Sequence, residues 1–153
     1  MTTVLVGDPA RHRRAVGPVA ARRLDERIGR LPAAGDYGAL RDLEPGGADE
    51  LVAVGALCAL ADADEGAVAL RDALAPAGRL HFLEHVGRPG ALGVLQKLSD
   101  PLWSASPLGC HVDHDIPAAL RRAGLLVTDL ERCTVPSAIP LLRHWVVGTA
   151  VAR

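Results

Sequence analysis

The chain has 153 residues, 49% of them hydrophobic and 23% charged, which suits one domain with its own core and excludes a disordered protein. Its 17 basic residues against 18 acidic ones leave a net charge of −1, which argues against a dedicated nucleic-acid binder, since such proteins carry a basic excess. Lys97 is the only lysine, and the arginine, alanine and glycine content reads as coding bias, so the arginines of residues 11–23 are expected on a solvated helix face.

Thr3-Val4-Leu5-Val6 predicts a short strand. Gly7-Asp8-Pro9 stops it and opens a helix, with Asp8 placed to cap and Pro9 suited to the first helical position. Gly17-Pro18 kinks or splits that helix. Residues 27–31 read as a second strand interrupted by Arg27 and Arg30. Residues 51–57 form a continuous apolar strand, as in a sheet covered on both faces. Asp62, Asp64 and Glu65 open the next helix, where negative charge suits the dipole. Its apolar positions Ala67, Leu70 and Leu74 keep helical spacing, and Pro76 and Gly78 end it. Residues 80–86 form another buried strand. From Gly87 to Cys110 the pattern is irregular, with one short amphipathic helix marked by Leu92, Leu95 and Leu98. Asp115 and Pro117 open a further helix that Gly124 closes. Strands near residues 125–131 and 145–151 follow, with Pro136 and Pro140 in the loop between. The alternation predicts a single α/β domain over residues 1–153 with a mainly parallel sheet. The last two strands have no helix between them, which predicts an antiparallel C-terminal strand.

The longest apolar run, Leu51 to Ala61, is too short for a bilayer, which takes about 20 residues, so no membrane partner is expected. Met1-Thr2-Thr3-Val4 lacks the basic region and apolar core of a signal peptide. Cys58, Cys110 and Cys133 are odd in number and widely spaced, the pattern of a reduced, cytoplasmic protein.

Asp62 to Val86 resembles the segment of class I S-adenosylmethionine-dependent methyltransferases that joins their fourth and fifth strands. There a helix ending in a leucine–arginine–proline–glycine–glycine-like turn leads into an apolar strand. Here the turn is Leu74-Ala75-Pro76-Ala77-Gly78-Arg79-Leu80. Phe82-Leu83-Glu84-His85-Val86 is similar to the small-molecule branch that includes ubiquinone-type and thiol methyltransferase-like proteins. Asp100-Pro101-Leu102-Trp103 and Gly109-Cys110-His111 fit the same branch. The resemblance runs from about Val4 to Val151. It implies a Rossmann-like sheet, S-adenosylmethionine as cofactor and methyl transfer to a small-molecule acceptor.

The chain departs from the family at the cofactor motif. No glycine-rich turn follows a first strand. With Asp8-Pro9 placed on the family's similar dipeptide, Val6 falls where the family has the acid that binds the ribose. The resemblance thus begins at the family's second strand, an N-terminally truncated sheet, and weak or absent cofactor binding by this chain alone is expected. Either the second strand closes directly onto the fourth, or a homodimer or partner chain completes the sheet, or the chain is a fragment of a longer one. A non-catalytic remnant of the fold, acting as a binding or partner subunit, is the alternative to an enzyme. A small metal-binding protein built around Cys110 and His111 is a third reading.

Open α/β sheets gather ligands at the carboxyl ends of their strands. Gly7 and Asp8, after the first strand, and Gly55 and Ala56, in the small-residue run Gly55-Ala56-Leu57-Cys58, are the candidate cofactor-side positions. His85 and His111 are the candidate catalytic residues, since imidazole accepts a proton near neutrality. Glu84, Trp103 and Cys110 are the candidate substrate-side residues, and His85, Trp103, Cys110 and His111 are expected to approach one cleft. Glu84 and His85 read equally as a structural pair, and both tryptophans as core. Gly109-Cys110-His111-Val112-Asp113-His114-Asp115 is the densest polar cluster. It lacks a second cluster with paired ligand spacing, so no metal site is expected, and Asp115 reads as a helix cap.

Overall fold

The computed structural model describes residues 1–10, 13, 17–31, 35–106, 109–137 and 139–153. Arg11 and Arg14, two of the arginines expected on the first helix, lie outside the described residues. Five strands form one sheet: β1 (Thr3–Gly7), β2 (Ala48–Val54), β3 (Leu74–His85), β4 (Leu126–Thr134) and β5 (His144–Val151), in the order β1-β2-β3-β5-β4. β1, β2 and β3 are mutually parallel, and β5 runs antiparallel to both β3 and β4. Only the C-terminal strand is reversed, as its direct connection to β4 requires. The fold is α/β and Rossmann-like.

Four helices are described: α1 (Pro18–Ile28), α2 (Ala63–Ala73), α3 (Gly90–Ala105) and α4 (Ile116–Arg122). β2 is buried on both faces because its side chains alternate between two cores. Leu51 and Ala53 join the core that holds Ala67 and Leu70 of α2 and Ile116 and Leu120 of α4. Val52 and Val54 join Ala20 and Leu24 of α1, with Leu83 and Trp145, on the opposite face. The result is a three-layer arrangement in which α1, α2 and α4 each contribute one apolar stripe. Asp62 caps α2 by accepting the Asp64 and Glu65 N–H groups. Asp115 caps α4 through Ala118 N–H, and Gly124 follows that helix with φ of 92°, in the left-handed region that suits glycine.

β1 and β2 pair directly, from Thr3 opposite Glu50 to Gly7 opposite Val54. The sheet is therefore closed within this chain, with no gap between these strands for a strand from elsewhere. Gly7 makes that closure possible. Its φ is 121°, and a Cβ there would lie 1.9 Å from the Val54 carbonyl oxygen. The free edge of β1 carries one parallel bridge, Val6 to Gly38.

Three expectations are corrected. Residues 27–31 are not a strand: Arg27 and Ile28 complete α1, and Gly29 closes it by donating to the Asp25 carbonyl. Their basic residues face solvent or reach β4, where Arg27 pairs with Glu131. The turn from Leu74 to Arg79 is not a loop outside the sheet. It forms the start of β3, where the register with β2 shifts between Ala48 and Glu50. The segment after Gly87 holds a helix of 16 residues, longer than expected, and its apolar side is inverted. Val94, Leu95, Leu98 and Leu102 are exposed, whereas Gln96 is buried. The Gln96 side chain accepts from Arg88 N–H and donates to the Leu141 carbonyl, fastening α3 across the sheet end.

Candidate functional site

The carboxyl ends of β1 and β2 open onto a cleft of about 450 Å³ lined by Gly7, Asp8, Gly38, Leu40, Gly55 and Ala56, among others. The four positions expected on the cofactor side, Gly7, Asp8, Gly55 and Ala56, therefore share one cavity. A second cavity of about 440 Å³ adjoins it through Gly7, Asp8, Gly38 and Ala39, and reaches Asp36, Tyr37 and Arg13. Val6 is fully buried in the core, so the nearest carboxylate to the β1 end is Asp8.

The wall formed by residues 55–58 is held from beneath. Gly55 turns the chain with φ of 60° and donates to the Leu83 carbonyl. The wholly buried Glu84 carboxylate then accepts three backbone N–H groups. Oε1 takes Ala56 at 2.9 Å and Leu57 at 3.1 Å, and Oε2 takes Cys58 at 3.1 Å. Burial pushes the Glu84 carboxyl up to about 7, against the pull of those donors. With its oxygens committed to the loop, Glu84 is a structural clamp on the cleft wall and does not face a substrate.

His85 does not join the other substrate-side residues. Successive residues of a strand project to opposite faces. β3 thus sends Glu84 to the side of Phe82 and His85 to the side of Leu83. There His85 is buried against Trp145, with ring centroids 4.9 Å apart. Neither of its ring nitrogens makes a hydrogen bond among the described residues. Burial lowers its pKa to about 4, so the ring is neutral at physiological pH.

Trp103, Cys110 and His111 are brought together. Trp103 packs on a small core of Cys58, Cys110, Val112 and Leu142, its indole N–H donating to Ser99 Oγ at 3.1 Å. Cys110 is fully buried there. His111 donates its backbone N–H to the Cys58 carbonyl at 2.6 Å, and its Nδ1 lies 2.7 Å from Asp100 Oδ2. Asp100 also accepts Val112 N–H through Oδ1 at 2.9 Å. Asp100 is the residue that sequence reasoning missed. Asp100-Pro101 stands out as a dipeptide, but only the length of α3 carries Asp100 to His111.

Asp113 lies beside this pair. Burial first, and then the Asp100 charge, raise its carboxyl above the ordinary range. It lines a cavity of about 480 Å³ at the end of β3, together with Val86, Arg88, Pro89, Asp115 and Arg132.

No protein-family model matches the sequence, and no curated protein matches it. Solved structures do share its fold. The cyclase SpnF is 15% identical with a TM-score of 0.54, the match covering 88% of this chain and 62% of that one. A methyltransferase of Thermotoga maritima that depends on S-adenosylmethionine is 14% identical with a TM-score of 0.53, over 88% of this chain and 71% of that one. Another such methyltransferase, from Mesorhizobium loti, is 20% identical with a TM-score of 0.50, over 87% and 77% respectively. At these identities the likeness shows the fold, a methyltransferase-like sheet, and this chain spans less than two thirds of the cyclase. No helix among the described residues is long and apolar enough to cross a membrane.

Proposed function

We propose that this protein is methyltransferase-like and that the cleft at the carboxyl ends of β1 and β2 takes S-adenosylmethionine with weak affinity. The observation that carries the reading is the convergence of Gly7, Asp8, Gly38, Gly55 and Ala56 on one cavity at that edge, where open α/β sheets bind nucleotides. The residues fit the nucleoside portion. Small side chains admit it close to the backbone, and Leu40 and Leu60 offer apolar contact.

The fit is incomplete on the methionine side, where no glycine-rich turn cradles the ligand. Val6 also leaves the ribose without its usual acid. A lost hydrogen bond to a charged group costs about 1.5–3 kcal/mol, which weakens binding roughly 10- to 100-fold.

When bound, the cofactor supplies an electrophilic methyl group on sulfur. The protein contributes position: Glu84 holds the loop that walls the cleft, and α3 covers the sheet edge where a small-molecule acceptor enters beside Trp103 and His111. Methyl transfer rests chiefly on in-line placement of the reacting atoms. The second reading, a non-catalytic binding or partner subunit, is favoured by that same missing cradle.

Calorimetric titration of the purified chain with S-adenosylmethionine separates them. Saturable weak binding that is lost in Gly55→Val supports the first. Absence of any saturable binding supports the second.

A further inference from the structure

We propose that Asp100, His111 and Asp113 form a binding site for one divalent transition-metal ion, of the Zn²⁺ or Mn²⁺ class, at the carboxyl edge of the sheet. The inference goes beyond the cofactor cleft and does not depend on it. Each of the three residues offers one ligand atom, and the three atoms lie within 4.8 Å of one another. Tetrahedral zinc bonds of about 2.0–2.2 Å hold ligand atoms about 3.3–3.6 Å apart, so side-chain rotations that move a ligand atom by roughly an ångström close the set. One imidazole and two carboxylates make a donor set for a borderline or hard divalent ion, not for a soft one.

The three side chains sit on anchored backbone. Asp100 is fixed by Val112 N–H, and the His111 backbone by the Cys58 carbonyl. Gly87 lies so close to Asp113 that a Cβ on it would meet the Asp113 carbonyl oxygen at 2.7 Å, and it donates to the His114 carbonyl. Hydrogen bonds inside this cluster do not complete it. Asp113 Oδ1 is buried and makes no hydrogen bond among the described residues.

The adjacent His114 makes no hydrogen bond to that oxygen. His114 Nε2 lies 2.7 Å from the Leu60 carbonyl, an oxygen that only accepts, so that nitrogen carries the hydrogen. His114 Nδ1 faces Asp113 Oδ1 at 3.6 Å, beyond hydrogen-bond reach. Asp100 and Asp113 place two carboxylates side by side, an arrangement that a cation relieves. Asp113 also lines the 480 Å³ cavity, which gives water or a ligand access to the remaining coordination positions. His111 then serves as a metal ligand and not as the proton acceptor that its position in the sequence suggests.

The test is calorimetric titration of the full chain, freed of metal, with ZnCl₂ and separately with MnCl₂. Binding of one ion per chain is expected, weakened at least tenfold in Asp113→Asn and in His111→Asn and unchanged in Cys133→Ser. Asp113→Asn is nearly isosteric, and circular dichroism of each variant confirms that it is folded. Absence of stoichiometric binding of either ion by the native chain overturns the proposal. So does binding that survives in folded Asp113→Asn, or that disappears in Cys133→Ser.

Discussion

Glu84 reaches from β3 to the Ala56 backbone N–H at 2.9 Å, and with two further N–H groups of the same loop it makes the wall of the cleft a continuation of the sheet. A strand-end carboxylate is thereby spent on backbone geometry. Replacement by glutamine keeps the shape but turns an acceptor into a donor, which faces an N–H group inside the core. An unsatisfied buried group costs about 1–3 kcal/mol, so Glu84→Gln is expected to lower the unfolding free energy by that amount and the urea midpoint with it. Unfolding monitored by circular dichroism measures it.

The two neighbours Glu84 and His85 give opposite pH dependences. Glu84 titrates at about 7 in the folded state against an ordinary 4.5, so the folded chain holds its proton over that interval and the unfolded chain does not. Its contribution is full below the ordinary value and is lost as pH rises through about 7. His85 is lowered to about 4 from 6.5. Its contribution is full above 6.5 and is lost as pH falls through about 4. Glu84→Gln should therefore lose stability more steeply than the native chain on acidification from about pH 7 to 5, and His85→Phe less steeply. Urea titrations at about pH 5, 6 and 7 read both differences. Parallel curves for all three proteins would contradict the assignment.

Gly7 ties the fold to the cleft. Its φ of 121°, and the 1.9 Å that would separate a Cβ there from the Val54 carbonyl oxygen, leave no room for a side chain. Gly7→Ala is expected to push β1 from β2 and to destabilise the chain by at least ~1–3 kcal/mol, the usual cost of overpacking. Hydrogen exchange should show the loss of protection concentrated in residues 3–7 and 50–54. Unchanged protection there would contradict it.

Much of this architecture is legible in the residues. The unbroken apolar run Leu51 to Val54 of β2 announces a strand covered on both faces, because alternate side chains enter two different cores. Asp62 and Asp115 mark helix starts through local hydrogen bonds that need no tertiary contact. What escapes sequence reading depends on distant partners. Arg27 and Arg30 obscure the last turn of α1, whose helical state is supported by Leu24 packing on the sheet. Leu95 and Leu98 suggest a buried face of α3, but the buried residue is Gln96, because two backbone groups at the sheet end need its amide.

The candidate site divides in the same way. Gly7, Asp8, Gly55 and Ala56 follow strands β1 and β2, and parallel pairing carries all four to the same sheet edge. His85 also ends a strand, but the two-residue period of β3 turns it to the face of Trp145. Asp100 lies 11 residues before its partner, but the helix that carries it ends at Ala105, so only the fold joins them.

The most direct measurement of the central claim is a titration of the ¹⁵N-labelled chain with S-adenosylmethionine, read by the amide shifts of individual residues. The account predicts fast-exchange shifts concentrated at Gly7, Asp8, Gly38, Gly55 and Ala56, saturating only at high ligand concentration. Shifts confined to other regions, or none at these five amides at millimolar ligand, would contradict it.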